Sequence, residues 1–216
     1  MSIFNNVENR IKKQFINDST GHDWFHVQRV LKMSRHLQQK EGGNLEIIEL
    51  AALLHDISDY KFNGGDLTHG GIVSSTILKE EGANDEIIKQ VKYIVDNVSY
   101  KGDRTPSSMD SLEGEIVQDA DRLDAIGAIG ISRVFAYGGN KGQPIYNPKL
   151  QPLSHSSFQE YAFTETTSIN HFYEKLLLLK DRLNTRTAKI IGTERHKFIE
   201  NYLDQFYKEW NLNFEE

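Results

Sequence analysis

The sequence predicts an all-α protein, and three observations predict it. Apolar residues recur at spacings of three and four through most of the 216 positions. Helix-starting and helix-stopping residues stand at the edges of those runs, and no run alternates apolar and polar residues convincingly enough for a sheet. Hydrophobic residues make up 38% and charged residues 26%, a balance that supports a folded globule with a sizeable core rather than a disordered chain. One domain spanning residues 1–216 is expected.

The elements follow in order. Residues 3–17 carry Phe4, Val7, Ile11 and Phe15 on one face, with Ser2 as N-cap. Residues 24–40 repeat the pattern with Phe25, Val27, Val30, Leu31 and Leu37, and Gly42-Gly43 stops that helix. Residues 45–57 align Leu50, Leu53, Leu54 and Ile57, and residues 69–81 and 84–98 read as two more helices. After a turn-rich stretch at 99–110, helical signal returns at 111–126 and continues or restarts to 137. Residues 138–170 hold three of the four prolines, with Gly138, Gly139 and Gly142. So long a connection without helix is expected to be a functional loop or lid. Helices at 169–183 and 186–210 close the chain.

Composition narrows the chemistry. The net charge of −6 gives no overall attraction for a nucleic-acid polymer, so an anionic substrate needs local Lys or Arg. The absence of cysteine excludes disulfides, thiolate metal sites and a Cys nucleophile. The first residues lack the basic and apolar regions of a signal peptide, and no run of about 18 apolar residues could span a membrane. A cytoplasmic location without membrane contact is expected.

Histidines and acids enter apolar, helical surroundings at three places: His26 in "GHDWFHVQRV", the pair His55-Asp56 in "LLHDISDYKF", and Asp119 in "IVQDADRLDAIGAIG", where Asp121 and Asp124 follow closely. Each alone is commonplace. Their order is harder to obtain by accident: His, then His-Asp 29 residues on, then Asp 63 residues after that. Buried acids are costly unless paired or bound to a cation. Two imidazoles and two carboxylates suit a divalent ion and leave about two positions of an octahedral shell open.

"FHVQRV", "LLHDISD" and "QDADRLDAIG" resemble the three metal-binding segments of the HD-domain phosphohydrolase superfamily, and the closing "HFYEKLLLLKDRLNTRTAKIIGTERHKFIENYLDQFYKEW" is similar to its stand-alone bacterial YpgQ-like branch. The resemblance covers roughly residues 20–137 strongly. It implies an HD-type helical bundle with the metal at its centre and His26, His55, Asp56 and Asp119 as ligands. The expected cofactor is a divalent ion, Mn2+ first, with Mg2+, Fe2+, Co2+, Ni2+ or Zn2+ compatible.

Such an ion activates water and polarises a phosphoryl oxygen, so hydrolysis needs no covalent protein nucleophile. Asp59, four residues after His55, is the candidate catalytic acid or base. Lys61, Lys175, Arg195, Arg29 and Arg122 are the candidate substrate-binding cations: Lys61 closely follows the metal motif, Arg29 and Arg122 each stand three residues after an expected ligand, and Arg195 falls on the apolar stripe Ala188, Ile191, Phe198, Tyr202. For Lys175 the resemblance also suggests a substrate contact. The resemblance favours a (deoxy)nucleoside triphosphate cut to monophosphate and pyrophosphate. The alternatives are a nucleoside monophosphate phosphatase or phosphodiesterase with the same site, or a metal- or nucleotide-binding module without catalysis.

Overall fold

The computed structural model describes residues 2–16, 23–57, 69–99, 109–153 and 166–213. All regular structure among them is helical: α1 (Ile3–Phe15), α2 (Trp24–Glu41), α3 (Leu45–Leu54), α4 (His69–Glu80), α5 (Asp85–Asn97), α6 (Leu112–Asp124), α7 (Gly127–Asn140), α8 (Ser168–Glu174) and α9 (Arg186–Trp210). Two 3-10 turns, Leu176–Leu178 and Lys180–Arg182, join α8 to α9. They replace the second half of the helix expected at 169–183.

Side chains set the helix starts. Ser2, Asp23, Asn44, Asn84, Ser111, Thr167 and Thr185 each accept a bond from a backbone N–H in the first turn of the helix they precede, each worth about 1 kcal/mol. Asp23 accepts from the N–H of His26 at 2.8 Å, so the cap also fixes the backbone of a candidate ligand.

Helix α3 is buried nearly all round, through Ile47, Ile48, Leu50, Ala51, Ala52, Leu53 and Leu54. A helix apolar on every side belongs in the interior, and α3 packs against α1, α2, α5 and α6. A continuous cluster of buried side chains then runs from Val7 in α1 to Leu203 in α9. On α9 the buried stripe is Ala188, Gly192, Ile199 and Leu203, while Phe198 is exposed. The stripe expected through Phe198 is therefore offset by about one residue beyond Ala188.

The break between α6 and α7 matters for the site. Gly127 adopts φ +77°, and a Cβ there would meet the Arg195 side chain at 3.1–3.4 Å. A left-handed residue against a packed neighbour suits glycine alone, so the helix restarts rather than running from 111 to 137.

Gly138 and Gly139, expected in the long loop, lie within α7. The described part of that loop is fastened down: Ser168 and Ile169 donate backbone N–H bonds to Pro144 and Ile145. The Tyr146 ring meets Trp210 edge-on at 4.9 Å and Phe206 at 5.7 Å. Among the described residues no helix is long and apolar enough to cross a membrane.

Candidate metal centre

His26 lies in the first turn of α2, wholly buried. Its Nδ1 is 2.7 Å from Oδ2 of Asp124, the last residue of α6. Asp124 also accepts from Arg29 Nε at 2.7 Å, Arg29 Nη2 at 3.0 Å and Arg133 Nη1 at 2.9 Å. Burial opposes its charge most strongly, yet the bonds from His26 and Arg29 and the charge of Arg133 prevail. They hold Asp124 well below the usual carboxylate range. An ionised carboxylate only accepts, so His26 carries its proton on Nδ1.

His55 occupies the C-cap of α3. Its Nδ1 is 2.8 Å from the carbonyl of Ala52, which can only accept, so His55 is also protonated on Nδ1. The helix stops at Leu54, His55 itself keeps helical backbone (φ −57°, ψ −33°), and a turn at 55–57 follows, closed by Ile57 N–H on Leu54 O.

The two Nε2 atoms face each other at 3.1 Å. Asp56 Oδ2 is 3.3 Å from each, and Asp121 Oδ1 lies 3.6 Å from His26 Nε2 and 3.8 Å from His55 Nε2. Two lone-pair nitrogens and two carboxylates thus converge, a set of acceptors that a cation satisfies. The same crowd draws a proton. Burial is the largest influence and works against a charge on His55, but Asp56, Asp121 and the Ala52 carbonyl together raise its pKa to about 9. Ligand atoms of His26, His55 and Asp56 all lie within 4.8 Å of one another. The imidazoles are sealed, at 0% and 1% side-chain exposure, whereas Asp121 is 29% exposed. The centre therefore opens to solvent on the Asp121 side.

Asp119 is not at this centre. Its Oδ1 accepts from Asn184 N and Nδ2 at 2.8 and 3.0 Å, and its Oδ2 accepts from Thr185 N and Oγ1 at 2.7 and 2.8 Å. Those four donors make Asp119 the anchor for the start of α9. The α6 carboxylate that reaches the histidines is Asp121, about 200° further round the helix. The spacing held a usable signal: Asp119 and Asp121 face nearly opposite ways, so one must leave the cluster.

The expected cations divide similarly. Arg122 is buried and donates Nη1 to the carbonyl of Arg182, tying α6 to the second 3-10 turn. Arg29 is turned onto Asp124 by two bonds. Arg195 donates Nη1 to the carbonyl of Leu123, and burial lowers its pKa against the opposing charge of Asp124. Lys175 ends α8, which packs on α7 and the first 3-10 turn. Asp59 and Lys61 lie outside the described residues. Sequence reasoning assigned no role to Asp121, Asp124 or Arg133.

The chain matches the HD domain family over residues 24–126. It is 36% identical to YpgQ of Bacillus subtilis (strain 168) over 195 residues, 89% of this chain and 86% of that protein. A solved structure from Lactobacillus plantarum superposes with a TM-score of 0.86 at 34% identity, covering 97% of both chains. An HD-superfamily hydrolase from Bacillus thuringiensis gives 0.73 at 42% identity over 96% of both. B. subtilis YpgQ in complex with ADP gives 0.73 at 32% identity, over 95% of this chain and 97% of that one.

Proposed function

The chain belongs to the HD domain family and is a metal-dependent hydrolase, and from that premise we propose that it hydrolyses small nucleotides. The substrate we infer is a (deoxy)nucleoside triphosphate, cut to the monophosphate and pyrophosphate. The observation that carries the reading is the convergence of His26 Nε2, His55 Nε2, Asp56 Oδ2 and Asp121 Oδ1, four acceptors within 3.1–3.8 Å of a histidine nitrogen. These residues would hold one divalent ion, Mn2+ in our assignment. When bound, such an ion supplies a nucleophile from water near neutral pH and draws charge from a phosphoryl oxygen.

The rest belongs to the chain. The buried imidazoles would hold the ion, and the more open carboxylates, Asp56 and Asp121, would border the face by which a phosphate enters. Because the protein is acidic overall, with a net charge of −6, that phosphate needs local cations. We assign this part to Lys61, Lys175 and Arg195, and proton transfer to Asp59. A nucleotide as substrate is supported by the YpgQ structure that holds ADP.

The test is product analysis. Protein loaded with Mn2+ is incubated with nucleoside mono-, di- and triphosphates, and products are resolved by ion-exchange chromatography and 31P NMR. Pyrophosphate and monophosphate from triphosphates are expected. Orthophosphate alone would sink the pyrophosphohydrolase reading in favour of a phosphatase, and turnover of no nucleotide by the loaded protein would remove nucleotides as substrates.

A further inference from the structure

We propose that Asp124 is a positioning residue: clamped by Arg29 and Arg133, it keeps the His26 proton on Nδ1 and so leaves Nε2 for the metal. The role rests on the metal-binding reading above. Neutral imidazole has two tautomers, and only the Nδ1–H form presents a lone pair toward His55 and Asp56. His55 is set by the backbone carbonyl of Ala52, 2.8 Å away. For His26 the partner is a side chain instead, and Asp124 takes that place at 2.7 Å.

The carboxylate is itself held from two elements. Arg29, one turn after His26 on α2, reaches both of its oxygens, and Arg133 arrives from α7. The sharp restart at Gly127 folds α7 back so that Arg133, nine residues after Asp124, meets it, and Arg195 packs over that turn while bonding the Leu123 carbonyl. The Arg29 and Arg133 guanidiniums thus hold the carboxylate on the Nδ1 side of the ring, behind the ligand nitrogen. Arg29 is thereby reassigned from phosphate contact to support of Asp124. An ionised partner also makes the imidazole a stronger ligand, and such supporting residues typically account for about 10–100-fold in metal affinity.

The test compares Asp124→Asn, Asp124→Glu and Arg29→Gln with the wild type. Three readouts are used: Mn2+ affinity by calorimetry, the His26 tautomer by long-range 1H–15N NMR of the metal-free protein, and KM for nucleotide. Asn can offer its amide N–H to Nδ1. Asp124→Asn is therefore expected to move His26 to the Nε2–H tautomer and weaken Mn2+ about 10–100-fold. Asp124→Glu, which keeps the charge, should recover part of the loss. Arg29→Gln should weaken Mn2+ in the same direction, whereas a phosphate-binding Arg29 would raise KM and leave Mn2+ affinity alone. If Asp124→Asn does not fold, Arg29→Gln and the wild-type tautomer decide. Wild-type Mn2+ affinity in the folded variants, or a wild-type His26 protonated on Nε2, overturns the role while the metal site stands. A wild type that binds no divalent ion overturns the metal reading and this role with it.

Discussion

His26 Nε2 lies 3.1 Å from His55 Nε2, each ring anchored through its own Nδ1, to Asp124 and to the Ala52 carbonyl. Two lone pairs pointed at one another repel unless a proton or a metal ion stands between them. Replacing either histidine by Ala should therefore abolish stoichiometric metal binding. The loss should exceed the roughly 10–100-fold expected for a supporting residue, measured as metal content after gel filtration. Full metal content in both variants would refute the site.

The two acids of α6 make opposite predictions. Asp121→Ala should lose metal and keep its thermal stability. Asp119→Ala should keep metal and lose stability, because Asn184 and Thr185 are left with unpaired donors. The cost of such unpaired groups is about 1–3 kcal/mol, or several degrees in Tm for a chain of this size. Metal loss in Asp119→Ala with unchanged melting would return the ligand role to Asp119.

Proton and metal compete for His55. With its folded pKa raised to about 9 from an ordinary value near 6.5, the protonated form stabilises the metal-free fold. That contribution is fully present below pH about 6.5 and is lost as pH rises through about 9. Metal affinity runs the other way, rising over the same window as the proton is released. Melting of EDTA-treated protein between pH 6 and 10 should show a decline that Mn2+ removes. A flat profile would mean that His55 is not held charged.

Loading the site should stabilise the protein by mass action. At an ion concentration about 100 times Kd the gain is about 2.7 kcal/mol, an upward shift of roughly 5–10 °C in Tm. Scanning calorimetry with EDTA against Mn2+ measures it, and no shift at saturating ion would show that the folded state does not prefer the metal.

Gly127→Ala should destabilise more than Gly142→Ala. Both positions have positive φ, +77° and +65°, but only Gly127 faces packed atoms, those of Arg195. Left-handed backbone alone costs about 1–2 kcal/mol for a residue with a Cβ, and displacement of Arg195 adds to this at Gly127. Equal melting temperatures for the two variants would show that the packed turn contributes nothing.

Periodicity and capping residues placed most of the helices, because the 3.6-residue repeat and the N-cap bond are local properties of the chain; the second half of 169–183, read as helix by the same repeat, folds as two 3-10 turns. They also singled out His26 and the His55-Asp56 pair, since polar groups in apolar helices need a reason. The α6–α7 break was half legible: Gly127 was visible, but the Arg195 side chain over it, from 68 residues away, was not.

The choice between Asp119 and Asp121 was not legible at all. Spacing shows that the two carboxylates point nearly opposite ways, but not which one meets which neighbour. That was decided by Asn184 and Thr185, whose four donors occupy one side of α6 and leave the other to the histidines. Arg29 was settled in the same way, by an Asp124 that lies 95 residues off in sequence and within 2.7 Å in space. Local sequence determined the elements and the residue types for a metal site. The tertiary packing decided which oxygens face the histidines, because a helix carries its side chains around an axis whose rotation only its neighbours set.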